Sequence, residues 1–122
     1  MPHCFIVDDS DIVRKYTRLI FESLHYRVSE AASAEKLIER FETDTPDFII
    51  MDWRIPGADP IQVISQIRKA RLDRRPFILY YPAENDPADI GRALAAGADD
   101  FLLKPINKEI VEMKLREIKF AA

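Results

Sequence analysis

Five short strand-like runs punctuate the chain, and each is followed by a longer amphipathic segment. The runs are His3-Cys4-Phe5-Ile6-Val7, Arg27-Val28-Ser29-Glu30-Ala31, Phe48-Ile49-Ile50-Met51, Phe77-Ile78-Leu79-Tyr80-Tyr81 and Asp100-Phe101-Leu102-Leu103. Strands that alternate with helices in this way assemble as βα units on a parallel sheet, because each helix is the crossover that returns the chain to the next strand. The 122 residues match the usual size of one domain, and no linker, repeat or low-complexity tract divides them. One domain over residues 1–122 is therefore expected.

The helical segments carry their own start signals. Ser10 or Asp11 caps a helix reaching to about Leu24, with Ile12, Tyr16, Leu19, Ile20 and Leu24 expected on one inward stripe. Ser33 opens a second helix, whose Leu37, Ile38 and Phe41 are expected to face the core. Pro60 suits the first position of a third helix carrying Ile61, Ile64 and Ile67. Asp86-Pro87 has the order of an N-cap followed by a first-turn proline, and Asn107 caps the last helix.

Three polar groups stand at the C-terminal ends of the strand runs: Asp8-Asp9, Asp52 and Lys104-Pro105. Ligands of an open parallel sheet bind along that edge, so three carboxylates and an ammonium would converge there. Such a set suits a hard divalent cation and a phosphoryl group. Each piece alone has a plainer reading. Asp8-Asp9 would serve as the capping turn of a helix, and Lys104 as a solvated strand end.

Composition narrows the function classes. A formal charge of −3, with no Lys/Arg run, leaves no electrostatic footprint for nucleic acid. The apolar runs are too short to span a bilayer, and the N-terminus lacks the pattern of a secretory signal. Cys4 is the only cysteine, which rules out an internal disulfide and fits a reducing, cytoplasmic setting.

The residues Phe5-Ile6-Val7-Asp8-Asp9-Ser10, Ile49-Ile50-Met51-Asp52-Trp53 with Pro56, Ala96-Gly97-Ala98-Asp99-Asp100-Phe101 and Leu103-Lys104-Pro105 together resemble a response-regulator receiver domain of bacterial two-component signalling, over the whole chain. The resemblance implies a (βα)5 flavodoxin-like fold with a five-stranded parallel sheet of order 2-1-3-4-5 and helices on both faces. It also implies Mg²⁺-dependent transfer of a phosphoryl group from a histidine kinase or histidine phosphotransfer protein. Asp52 would be the acceptor, and Asp8, Asp9, Asp52 and the Arg54 backbone carbonyl would hold the metal. Lys104 and the Ala83 N–H would cradle the phosphoryl oxygens.

Counting from Asp52 and back from Lys104 puts Pro82 at the family's Ser/Thr switch position, where it has neither hydroxyl nor N–H. A shift of one residue would put Tyr81 there. Phe101 keeps the aromatic switch position. Arg54 and Glu84 occupy the flanking positions, and their opposite charges suggest a lid pair. The expected role is a stand-alone receiver, monomer or weak homodimer, that controls its own phosphorylation and signals by protein contact or phosphorelay, with an atypical switch. Its contact surface would be the face of the fourth helix, fifth strand and fifth helix, with Ile90, Leu94, Phe101, Ile110 and Lys114. The alternatives are a pseudo-receiver that binds a partner independently of phosphorylation, and a small phosphohydrolase. The second needs an acid/base aspartate where this chain has Arg54.

Overall fold

The computed structural model describes residues 2–41, 43–70, 72, 74–103 and 106–121. Five strands and five helices alternate along them: β1 (His3–Val7), α1 (Asp11–Ser23), β2 (Arg27–Ala31), α2 (Ala34–Arg40), β3 (Phe48–Asp52), α3 (Pro60–Lys69), β4 (Phe77–Tyr81), α4 (Pro87–Ala96), β5 (Asp100–Phe101) and α5 (Lys108–Ala121). All pairings are parallel, in the order β2-β1-β3-β4-β5. The parallel βα sheet is the one the strand and helix pattern predicts, and its order is that of the flavodoxin-like fold implied by the resemblance.

The central strands are continuous apolar runs because both of their faces are covered. Phe5, Val7, Ile49, Met51, Ile78 and Tyr80 pack under α2, α3 and α4 with Leu37, Ile64 and Ala93. The alternate residues Cys4, Ile6, Phe48, Ile50, Leu79 and Tyr81 pack under α1 and α5 with Ile20, Phe21 and Val111. Four of the five helix starts carry a side-chain cap, and Ser33 before α2 makes none. Ser10 Oγ accepts from Val13 N–H, Asp59 Oδ1 from Ile61 N–H, Asp86 Oδ1 from Ala88 N–H and Asn107 Oδ1 from Ile110 N–H.

Four expectations are corrected. On α1 the buried residues are Thr17, Ile20 and Phe21, whereas Ile12, Tyr16 and Leu19 are exposed, at 82%, 48% and 66%. The two stripes are separated by about 100° around the helix, one residue step. Thr17 can lie in the core because its hydroxyl donates to Val13 O at 2.8 Å, which removes the cost of burying it. On α2, Ala34 and Leu37 are buried while Ile38 is exposed, since seven residues give only a narrow inward face. Ile90 of α4 is buried rather than part of a contact surface. The fifth strand pairs only through Asp100 and Phe101, and Leu103 lies half-exposed beyond it.

Beneath the sheet, at the end opposite the carboxylates, one arginine ties three segments together. Arg68 donates to Gly97 O and Pro76 O, both at 2.8 Å, and to Asp99 Oδ2 at 2.6 Å. Asp99 also accepts from Ile78 N–H and from Arg75. Gly97 ends α4 with φ of 126°, a backbone setting that L side chains rarely adopt, and a Cβ there would run into the Arg68 side chain. The Gly97-Ala98-Asp99 stretch is thus explained as a clasp between α3, β4 and the approach to β5.

Candidate functional site

The site forms where β1 and β3 end side by side. Past Val7, Asp8 N–H still donates to Ala31 O of β2, and Asp8 Oδ1 turns back to accept from Ser10 N–H at 2.8 Å. That local turn starts α1 and holds Asp8 at 3% exposure, and Arg14 braces it by donating to Asp8 O. Asp9 follows with its side chain 28% exposed. Asp52 is the last residue of β3 and is 2% exposed. Carboxylate oxygens of Asp8, Asp9 and Asp52 all lie within 4.8 Å of one another.

An all-oxygen anionic donor set of this kind, open to solvent on the Asp9 side, fits a hard cation such as Mg²⁺, which takes one or two carboxylates and keeps several waters. The sequence therefore located the acidic cluster, and the fold brings it together. Lys104 and Pro105 lie outside the described residues.

Arg54 enters the site twice. Its backbone N–H donates to Asp52 Oδ2 at 3.3 Å, and its Nε stands 3.2 Å from Asp9 Oδ2. The side chain expected to pair with Glu84 across a lid pairs instead with a carboxylate of the cluster. The closeness in space of Asp9 and Asp52 decides this, which spacing in sequence does not reveal.

The β3–β4 register pairs Asp52 with Tyr81, and Trp53 N–H donates to Tyr81 O at 2.9 Å. Cross-strand partners point the same way, so Tyr81 shares its face with Asp52. Burial, and then the charges of Asp52 and Asp8, push its phenol up to about 12, and the phenol oxygen accepts from the Ile106 N–H. Pro82, also buried, is the first residue beyond the strand. A signal for this register was present: β3 and β4 each run five residues from a phenylalanine. Tyr80 points to the other face, where its hydroxyl donates to Asp89 Oδ2 at 3.0 Å and ties β4 to α4.

Next to Trp53, on the Tyr80 face of β4, a cavity of about 260 Å³ is bounded by Trp53, Asp59, Tyr80, Ala83, Glu84 and Asp89. Trp53 is 39% exposed, so it can report on this edge. A larger hollow of about 650 Å³ between β2 and α2 is lined by Arg14, Glu30 and Arg40 and by none of the three carboxylates. On the α4–β5–α5 side, Leu94 and Ile110 are exposed, and Lys114 stands 5.9 Å over the Phe101 ring while pairing with Asp100 at 3.1 Å. No helix among the described residues is long and apolar enough to cross a membrane.

A sequence profile for the response regulator receiver domain matches residues 4–116. The transcriptional regulatory protein AfsQ1 of Streptomyces coelicolor is 33% identical over 118 residues, which cover 97% of this chain and 51% of that protein. The chain spans about half the length of the curated relatives it matches. A candidate response regulator from Chloroflexus aurantiacus superposes with a TM-score of 0.89 at 29% identity, covering 97% of this chain and 98% of that one. The receiver domain of the sensor histidine kinase PA1611 from Pseudomonas aeruginosa superposes with a TM-score of 0.84 at 27% identity, covering 95% of each chain. That structure holds a magnesium ion coordinated in its active-site cleft.

Proposed function

Because this chain belongs to the response regulator receiver domain family, we propose that Asp52 accepts a phosphoryl group from a phosphohistidine of a sensor kinase or phosphotransfer protein. The observation that carries this reading is the convergence of Asp8, Asp9 and Asp52 from two strand ends to within 4.8 Å. Residues 1–122 act in it as one receiver unit.

Asp8, Asp9, Asp52 and the Arg54 carbonyl would hold Mg²⁺. A bound magnesium ion supplies positive charge that neutralises the phosphoryl oxygens during transfer. The remaining work belongs to the chain itself. The Asp52 carboxylate, aimed along the sheet edge by its position at the end of β3, attacks phosphorus. A P–O bond forms as the donor's P–N bond breaks, and the imidazole leaves. The Arg54 N–H already held on Asp52 Oδ2 orients the acceptor. Lys104 and the Ala83 N–H are assigned to the phosphoryl oxygens.

At the switch, Pro82 offers no hydroxyl, so inward movement of a Ser/Thr cannot drive Phe101 here. Tyr81, level with Asp52 and on its face, is the nearer hydroxyl-bearing residue on β4. The signal passes by protein contact through the surface of α4, β5 and α5, where Leu94, Phe101, Ile110 and Lys114 remain after the loss of Ile90. The role is signalling in the cytoplasm, with catalysis limited to the chain's own phosphorylation and dephosphorylation.

Trp53 provides the test. Its fluorescence is followed as Mg²⁺ and then beryllofluoride, a phosphoryl stand-in, are added to the wild type and to Asp52→Asn. Saturable responses to both, with the second absent from the variant, are expected. A response to Mg²⁺ alone would replace this reading with the metal-binding pseudo-receiver. Silence in both steps would remove the metal site as well.

A further inference from the structure

We propose that Arg54 is a built-in competitor for the divalent cation, its guanidinium holding the outermost carboxylate of the cluster until metal displaces it. This rests on the receiver reading above and deepens it by naming the residue that sets metal affinity.

Three observations meet at this residue. Asp8 and Asp52 are almost fully buried, so a cation arriving from solvent reaches the cluster on the Asp9 side. That is where the Arg54 guanidinium stands, 3.2 Å from Asp9 Oδ2. Its backbone is pinned to the same cluster through the bond from Arg54 N–H to Asp52 Oδ2, which keeps the guanidinium at high local concentration beside Asp9.

The two cations compete for the Asp9 carboxylate, because both draw on its negative charge and each repels the other. Mg²⁺ needs oxygen ligands in near-octahedral array, whereas a guanidinium brings only N–H donors and a further positive charge. The Arg54 side chain is also 69% exposed, so leaving Asp9 breaks no packing. Its hold is accordingly weak enough to be displaced and strong enough to measure. Exposed pairs of this kind shift an equilibrium by factors of roughly 1.4 to 5. Repulsion between a displaced but tethered guanidinium and a bound dication adds about two- to threefold at moderate salt. Together they set an expected effect of about three- to fifteenfold on Mg²⁺ affinity.

The test is an Mg²⁺ titration at low, constant ionic strength, read by Trp53 fluorescence and by the metal-induced rise in Tm, for wild type, Arg54→Gln and Arg54→Lys. Arg54→Gln is expected to bind Mg²⁺ about three- to fifteenfold more tightly, and Arg54→Lys, which keeps the charge, to stay near wild type. The Gln advantage should shrink toward unity in about 1 M NaCl, where charge effects are screened. A merely structural role for Arg54 would not produce that salt dependence. Equal or weaker binding by Arg54→Gln, or equal gains by Gln and Lys, would overturn the proposal and leave the receiver site intact. No Mg²⁺ response in wild type or in Arg54→Gln would overturn both.

Discussion

Gly97→Ala is expected to destabilise the fold by about 3–5 kcal/mol, with much of the loss passing through a residue far away in sequence. The backbone contribution comes from φ of 126° at the end of α4. Holding an L side chain in such a setting costs about 1–3 kcal/mol. The second contribution is steric, because the new Cβ enters the space of the Arg68 side chain. Arg68 is 16% exposed and places donors on Gly97 O, Pro76 O and Asp99. Set against the desolvation of a guanidinium, those bonds are worth about 3 kcal/mol together, and removing them also leaves Asp99 short of a partner. Arg68→Ala alone should therefore cost about 3 kcal/mol.

In the double variant the collision is gone, and only the backbone strain of about 2 kcal/mol adds to the loss of Arg68. A total near 5 kcal/mol is expected where simple addition gives about 7, a coupling of about 2 kcal/mol. Urea unfolding followed by Trp53 fluorescence measures this, with ΔΔG taken from Cm at constant m. Costs that add to within about 0.5 kcal/mol would refute the claim that the two residues act through one contact.

Two further outcomes concern packing and pH. Ile20→Ala should cost about 2–4 kcal/mol, whereas Leu19→Ala, on the exposed stripe of α1, should stay within about 0.5 kcal/mol in the same unfolding assay. Burial holds the His3 imidazole below its ordinary value of 6.5, although Asp44 and Asp47 pull the other way. The unfolded chain then binds more protons than the folded one below that value. His3's contribution is thus complete above pH 6.5 and is lost as the pH falls through 6.5 toward the folded value. Unfolding free energies measured between about pH 8 and pH 5 should show this slope, and His3→Gln should flatten it. A wild-type profile identical to that of the variant would refute it.

Much of the architecture was legible because local rules and global fold agree. The runs His3–Val7, Phe48–Asp52 and Phe77–Tyr81 are apolar on both faces, which only a doubly covered parallel sheet satisfies. Asp59-Pro60, Asp86-Pro87 and Asn107 announce helix starts through chemistry confined to a few neighbouring residues. Asp8, Asp9 and Asp52 could be selected as a cluster because strand ends in such a sheet share one edge, so their meeting follows from topology.

What stayed hidden depends on distances between segments. The α1 pattern contains two apolar stripes, and only the packed sheet decides that Thr17, Ile20 and Phe21 go inward while Ile12, Tyr16 and Leu19 stay out. The level of Tyr81 against Asp52 follows from ladder register, which is set by pairing between β3 and β4 rather than by spacing along the chain. The sequence argument pairs Arg54 with Glu84, and it is the approach of β1 to β3 that gives it to Asp9 instead. Periodicity and capping are written in contiguous residues and can be read there. The choice between equivalent helix faces, registers and charge partners is made by contacts of a few ångströms between residues far apart in the chain, and it exists only once the chain has folded.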